Sequence, residues 1–184
     1  MTSKRIFIGS FIRSTELYDL FNEVKNEMKF AGNIKWTASE NNLHFTCIFL
    51  GETDLNKTEK IRRLLTPLIN KDYNIPLKIS GLKYFTHKGK PSVLYAQIKD
   101  TQGKLNELQK QIKTILTENA LIRNDKPKKF IPHITFARIK NINKSFYEII
   151  EEYKDLEITY KYPVRINIIE SILKPSGAIY KTLQ

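Results

Sequence analysis

The 184-residue sequence contains one cysteine, three histidines and one tryptophan, and only seven each of glycine and proline. The lone thiol, Cys47, excludes an internal disulfide and any Cys-rich zinc site, and fits a reducing compartment. Neither a Gly-rich phosphate loop nor a dinucleotide fingerprint occurs. Apolar runs are short and broken by charge, far below the roughly 20 residues that cross a bilayer. No apolar h-region of signal-peptide type follows Met1-Thr2-Ser3-Lys4-Arg5, so neither a signal peptide nor a membrane contact is expected. Low-complexity tracts are also missing. Ile, Leu, Phe and Tyr recur throughout, which excludes disorder over most of the length. The expectation is a single cytoplasmic, monomeric domain over residues 1–184, long enough to bury a core without staples.

Acid is also scarce: 31 Lys and Arg face 19 Asp and Glu, a formal charge of +12. Many lysines, such as Lys104, Lys110 and Lys113, fall on helix surfaces, where a solvated face is the bland reading. The sharper reading is attraction for a polyanion such as nucleic acid. The run Arg123-Asn124-Asp125-Lys126-Pro127-Lys128-Lys129 favours the latter, because it directly precedes the most informative motif in the chain.

Residues 5–12 read as a strand. Ser14 or Thr15 caps a helix with Leu17, Leu20, Phe21, Val24 and Met28 inward, ended by Gly32. Short strands at 34–37 and 43–50 follow, the second ended by Gly51. Asp54 starts a helix with Ile61, Leu64, Leu65 and Leu68 inward. Strands at 75–85 and 92–98 flank a hairpin loop, and a third helix buries Leu105, Leu108, Ile112, Ile115 and Leu116. A strand at 131–139, a short helix around Phe146 to Tyr153, two strands at about 156–161 and 164–173 and a tail complete the chain. This irregular alternation with a hairpin predicts an α+β fold on antiparallel sheet, not a doubly wound parallel one.

Two of the three histidines sit in matching strands, Leu43-His44-Phe45-Thr46-Cys47-Ile48 and Pro132-His133-Ile134-Thr135-Phe136-Ala137. Side chains alternate along a strand, so His44 and Thr46 share a face, as do His133 and Thr135. One such histidine is usually a satisfied core or edge residue. From average residue usage, a His with Ser or Thr two places on in apolar company arises on the order of once in fifty. Two among three is the signal. Imidazole, with an unperturbed pKa of about 6.5, serves as base in one copy and acid in another. Hydroxyls and a nearby cation hold phosphate oxygens. Opposed strands of this kind suit in-line displacement at a phosphodiester. No third ligand is spaced with either histidine, which disfavours a metal centre. His87, in a Lys/Gly/Pro loop without the Thr, reads as a solvated loop histidine.

His44-Phe45-Thr46-Cys47 and His133-Ile134-Thr135-Phe136 resemble the paired His-x-Thr/Ser-x signature of the two-histidine (2H) phosphoesterases. Within them the chain resembles the RNA 2',3'-cyclic phosphodiesterases, also called 2'-5' RNA ligases. Arg5-Ile6-Phe7-Ile8, Glu40 to Leu43, Phe49 to Glu52, Phe130 to Pro132, Ala137-Arg138 and Ile169 to Tyr180 resemble the flanking segments, so the resemblance spans nearly the whole chain. It implies a bilobal α+β domain: two antiparallel-sheet lobes with helices outside, related by a pseudo-twofold around a central cleft, one histidine from each.

The activity implied is hydrolysis of an RNA or nucleotide 2',3'-cyclic phosphate to a 2'-phosphomonoester, without metal or cofactor, with reversible 2'-5' ligation as its partner reaction. His44 is then the proton donor, His133 the proton acceptor, and Thr46 and Thr135 bind phosphate. Arg138 matches an arginine five residues after the second histidine that is associated with phosphate. Strict alternation puts Arg138 on the face opposite His133, so its participation requires a bulge or twist. The alternative is a surface arginine at a strand end. The family often has an acidic residue and a proline where this chain has Phe11-Ile12-Arg13-Ser14, which bears on substrate preference. Cys47 replaces a commoner aliphatic residue and reads as core. Phe7, Phe11, Trp36, Tyr84 and Phe85 are candidate base-stacking aromatics, though each type is more often core. Three other readings remain: a 2'-5' oligonucleotide phosphodiesterase of the same superfamily, a non-catalytic RNA-binding module and a His-bound metal hydrolase.

Overall fold

The computed structural model describes residues 3–37, 39–123, 129–175 and 177–183. In chain order the elements begin with β1 (Ser3–Phe11), α1 (Thr15–Glu27), β2 (Gly32–Trp36), β3 (His44–Asp54), α2 (Leu55–Leu65), β4 (Asp72–Tyr73), β5 (Leu77–His87) and β6 (Lys90–Asp100). They continue with α3 (Lys104–Glu118), β7 (His133–Ile142), α4 (Lys144–Glu152), β8 (Glu157–Tyr160), β9 (Val164–Arg165), β10 (Asn167–Lys174) and β11 (Gly177–Thr182). Helices α1 and α2 start at the caps expected from the sequence. Ser14 Oγ accepts from Leu17 N at 3.3 Å, and Asp54 Oδ1 accepts from Lys57 N at 2.8 Å. Each bond satisfies a backbone donor that has no partner inside the first turn.

Among the described residues nine strands form one sheet in the order β11-β10-β1-β3-β7-β6-β5-β8, with β2 added alongside β7, while β4 and β9 make a separate two-stranded ribbon. Every pairing is antiparallel. The fold is α+β. The two expected lobes are halves of one sheet, joined between β3 and β7 through Phe45 opposite Ile134. Inward residues from both halves and the helices merge into one core, in which Phe21, Phe45, Phe136 and Phe146 are fully buried. Helix α1 covers β2 and β7: the Phe21 ring meets Trp36 and Phe136 edge-on at 5.8 and 5.2 Å. Gly9 lets β1 lie close to β3, since a Cβ there would sit 2.2 Å from the Phe45 carbonyl oxygen.

Three sequence expectations change. Gly51 does not end β3. Ile6 pairs with Gly51 and Phe7 with Phe49, leaving Leu50 unpaired; the glycine sits at φ +73°, where a bulge needs it. The strand therefore runs on to Asp54. The expected single strand at 164–173 is interrupted at Ile166, giving β9 and β10. The tail contains β11, which pairs with β10 from Lys174–Gly177 to Ile169–Thr182. Of the basic run before the second histidine, residues 124–128 lie outside the described residues.

Candidate active site

The central pair Phe45–Ile134 points both of its side chains into the core, each fully buried. Its flanking residues therefore share the opposite face. In an antiparallel register His44 then lies across from Thr135, and Thr46 across from His133. All four line one cavity of about 510 Å³ at the junction of the two halves. The His-x-Thr spacing thus sets the face, and one cross-strand pair brings the two copies together.

Each imidazole is tethered in the same way. His44 Nδ1 lies 2.7 Å from the carbonyl oxygen of Asn42, and His133 Nδ1 lies 2.8 Å from that of Ile131. A carbonyl oxygen only accepts, so Nδ1 carries the hydrogen in both rings. Nε2 is then the titrating nitrogen of each: an acceptor when neutral, a donor when protonated. Aromatic rings pack on both imidazoles. Phe7 and Tyr180 flank His44 at 4.8 and 4.4 Å between centroids, and Phe85 and Tyr95 flank His133 at 4.9 and 5.2 Å. Burial is the main cause that lowers the pKa of each histidine below its ordinary value, opposed by the carbonyl bond; for His44 the charge of His133 adds to the lowering.

Both motif strands break alternation at the same point. Against β1, Thr46 pairs with Gly9 and Ile48 with Ile8, so Cys47 is left over. Against β6, Thr135 pairs with Tyr95 and Ala137 with Leu94, so Phe136 is left over. A one-residue bulge shifts every later side chain to the other face. Arg138, which unbroken alternation would turn away, consequently lines the cavity with His133. The equivalent position on β3 is Phe49, which is exposed and carries the Arg5 guanidinium 4.9 Å above its ring. Cys47 is buried among core residues as expected, and burial pushes its thiol up to about 12, so it is no nucleophile at neutral pH.

The cavity is strongly cationic. Arg5, Lys35 and Lys174 line it together with Arg138, and among the described residues no carboxylate does. Among the described residues none of the four is in an ion pair. Lys35 stands directly across the β2–β7 ladder from Arg138, a like-charge pairing that costs stability unless an anion lies between them. Sequence reasoning did not single out Lys35, Lys174 or Tyr180 as cavity residues. Lys35 is placed by β2 adding to β7, and Lys174 and Tyr180 by the final hairpin, and neither pairing has a local signal. Four of the five candidate aromatics reach the site: Phe7, Phe11, Trp36 and Phe85. Tyr84 packs on Phe146 and Tyr147 instead, and His87 is exposed at the end of β5. Among the described residues no group of three or more His, Cys, Asp or Glu is arranged to hold a metal ion.

The comparisons with known proteins agree with this geometry. The family model described as the AKAP7 2'5' RNA ligase-like domain matches residues 6–182. The RNA 2',3'-cyclic phosphodiesterase of Methanocaldococcus jannaschii is 30% identical, over 90% of this chain and 95% of that protein. The enzyme of that name from Aquifex aeolicus is 26% identical, over 98% and 95% of the respective chains. In fold, the chain is similar to the crystal structure of E. coli LigT complexed with 3'-AMP. The TM-score is 0.72 and the identity 15%, with 100% of this chain and 97% of that one covered. Paired His-x-Thr strands facing one cavity, and a family match running from β1 to β11, make this chain a member of the 2'-5' RNA ligase-like family of 2H phosphoesterases.

Proposed function

We propose that the protein hydrolyses the 2',3'-cyclic phosphate of an RNA end or nucleotide to a 2'-phosphomonoester, as a metal-independent, monomeric cytoplasmic enzyme whose 184 residues form one domain. The observation that carries the reading is the pair of imidazoles, both held through Nδ1 by a carbonyl two residues earlier and both lining one cationic cavity. The names of the curated relatives point to the same substrate.

In this mechanism neutral His133 accepts a proton at Nε2 from water as its oxygen bonds to phosphorus. Protonated His44 gives a proton from Nε2 to the 3'-oxygen as the P–O3' bond breaks. The product is a 2'-phosphomonoester with a free 3'-hydroxyl, and the two histidines finish with their protonation exchanged. Thr46 and Thr135 donate to the non-bridging phosphate oxygens, and Arg138 neutralises the charge that builds on them. A positioned acid or base contributes typically 10²–10⁴-fold to the rate. The assay is turnover of 2',3'-cyclic AMP and of a short RNA with a cyclic-phosphate end, with EDTA present, for wild type, His44→Ala and His133→Ala. A 2'-phosphate product that each substitution reduces by that factor is the expected result. Loss of activity with EDTA would return the reading to a His-bound metal hydrolase. Wild-type protein inert on both substrates would leave the 2'-5' phosphodiesterase and RNA-binding readings standing.

A further inference from the structure

The two motif strands match in kind up to one position. His44 corresponds to His133, Thr46 to Thr135, and Cys47 to Phe136 as the extra residue of each bulge. At the next cavity-facing position the match fails: β7 has Arg138 and β3 has Phe49, and both line the cavity. A phosphate between the strands therefore meets a guanidinium from one and an apolar ring from the other. The neighbouring strand makes up the difference. Arg5 of β1 lines the same cavity, with its guanidinium 4.9 Å from the centroid of the Phe49 ring. A planar guanidinium stacks well on an aromatic face, which orients it while leaving its N–H groups free to donate.

Arg5 has an acid within the ladder and does not pair with it. Glu52 lies directly across from it on β3, where opposite charges ordinarily attract. Glu52 Oε2 accepts from Ser3 Oγ at 3.2 Å instead, and among the described residues Arg5 is in no ion pair. Two residues along β1, on the same face, Phe7 packs against His44 at 4.8 Å and Tyr180 at 5.6 Å. Burial raises the pKa of the Tyr180 hydroxyl, and the charges of Arg138 and Arg5 both oppose it. Tyr180 packs on His44, so the two guanidiniums converge on the same part of the cavity. We propose that Arg5, oriented by Phe49, is a second phosphate-binding arginine that completes with Arg138 a two-sided clamp on the non-bridging oxygens. This role deepens the proposed function and rests on it. The cyclic diester carries one negative charge and its phosphomonoester product about 1.5–2 at pH 7. A second guanidinium favours that charge as it builds.

The test compares wild type with Arg5→Met, Phe49→Leu, the double variant and Glu52→Gln. Two quantities are read: kcat/KM on 2',3'-cyclic AMP, and the affinity for inorganic phosphate by isothermal titration calorimetry. Arg5→Met keeps an unbranched stem and loses the charge. It is expected to lower kcat/KM by about 10–30-fold and to weaken phosphate by about tenfold, the low end for a hydrogen bond to a charged group. Phe49→Leu should cost a smaller factor, and none in the Arg5→Met background, because the ring acts only through the guanidinium. Glu52→Gln should stay within about twofold of wild type, as a surface change. Phosphate affinity unchanged in Arg5→Met, or undetectable in wild type, would overturn the clamp. So would a Glu52→Gln loss equal to that of Arg5→Met, which would make Arg5 a structural partner of Glu52. A Phe49→Leu loss that is the same with and without Arg5 would overturn the orienting role of the ring. Wild type that binds phosphate yet is inert on cyclic AMP would defeat the hydrolytic reading alone, since phosphate binding is read without turnover.

Discussion

Replacing Arg138 by Gln should lower activity and raise stability together. The side chain reaches the cavity because Phe136 is an extra residue in β7, and it faces Lys35 across the β2–β7 ladder. A hydrogen bond to a charged group is worth about 1.5–3 kcal/mol, or roughly 10–150-fold in rate at 1.36 kcal/mol per decade. Arg138 is exposed and shares the cavity with Arg5, Lys35 and Lys174, so the low end applies. The expected loss in kcat/KM on 2',3'-cyclic AMP is about 10–30-fold, shrinking as salt screens the neighbouring charges. Arg138→Lys keeps the charge without the bidentate fork, and should recover part of the loss. A directly opposed like-charge pair destabilises by about 0.2–1 kcal/mol, and Arg138 is in no ion pair among the described residues. Its removal should therefore raise Tm by roughly 0.4–4 °C, at about 2–4 °C per kcal/mol for a chain of this length. Steady-state kinetics and a thermal melt on the same preparation decide the matter. Unchanged kcat/KM would refute a role at phosphate, and a lowered Tm accompanying the activity loss would make Arg138 a structural residue.

The pH profile of kcat/KM should be bell-shaped with both limbs at or below about 6.5, because burial lowers both imidazoles from their ordinary value. A single-limbed profile would contradict paired acid and base. The same shifts link to stability. In the window just below pH 6.5 the unfolded chain takes up protons that the buried rings decline, so stability rises with pH there and falls on acidification. Chemical denaturation at pH 5 to 8 should show this slope, and His44→Gln should flatten it. Gly9→Ala should destabilise by about 1–3 kcal/mol through overpacking, since the new Cβ would meet the Phe45 carbonyl. Because Phe45 separates His44 from Thr46, kcat should fall as well. A melt and an activity equal to wild type would show that β1 and β3 separate freely.

Whatever period and local chemistry control was legible from the residues alone. The His-x-Thr spacing puts each imidazole and hydroxyl on one face, and the intervening Phe45 and Ile134 are as buried as their apolar character requires. Ser14 and Asp54 mark helix starts because a capping oxygen acts within three residues. Tertiary structure decided whatever depends on which strand lies beside which. Arg138 was undecidable by counting, since its face turns on a bulge measured against β6, about 40 residues earlier in the chain. Gly51 carries the ordinary signature of a strand end, yet pairing with β1 draws the strand on through it. Lys35, Lys174 and Tyr180 come to the cavity through long-range pairings of β2 with β7 and of β10 with β1. A lysine or tyrosine carries no local mark of the strand it will meet, and the cationic cavity is a property of the assembled sheet.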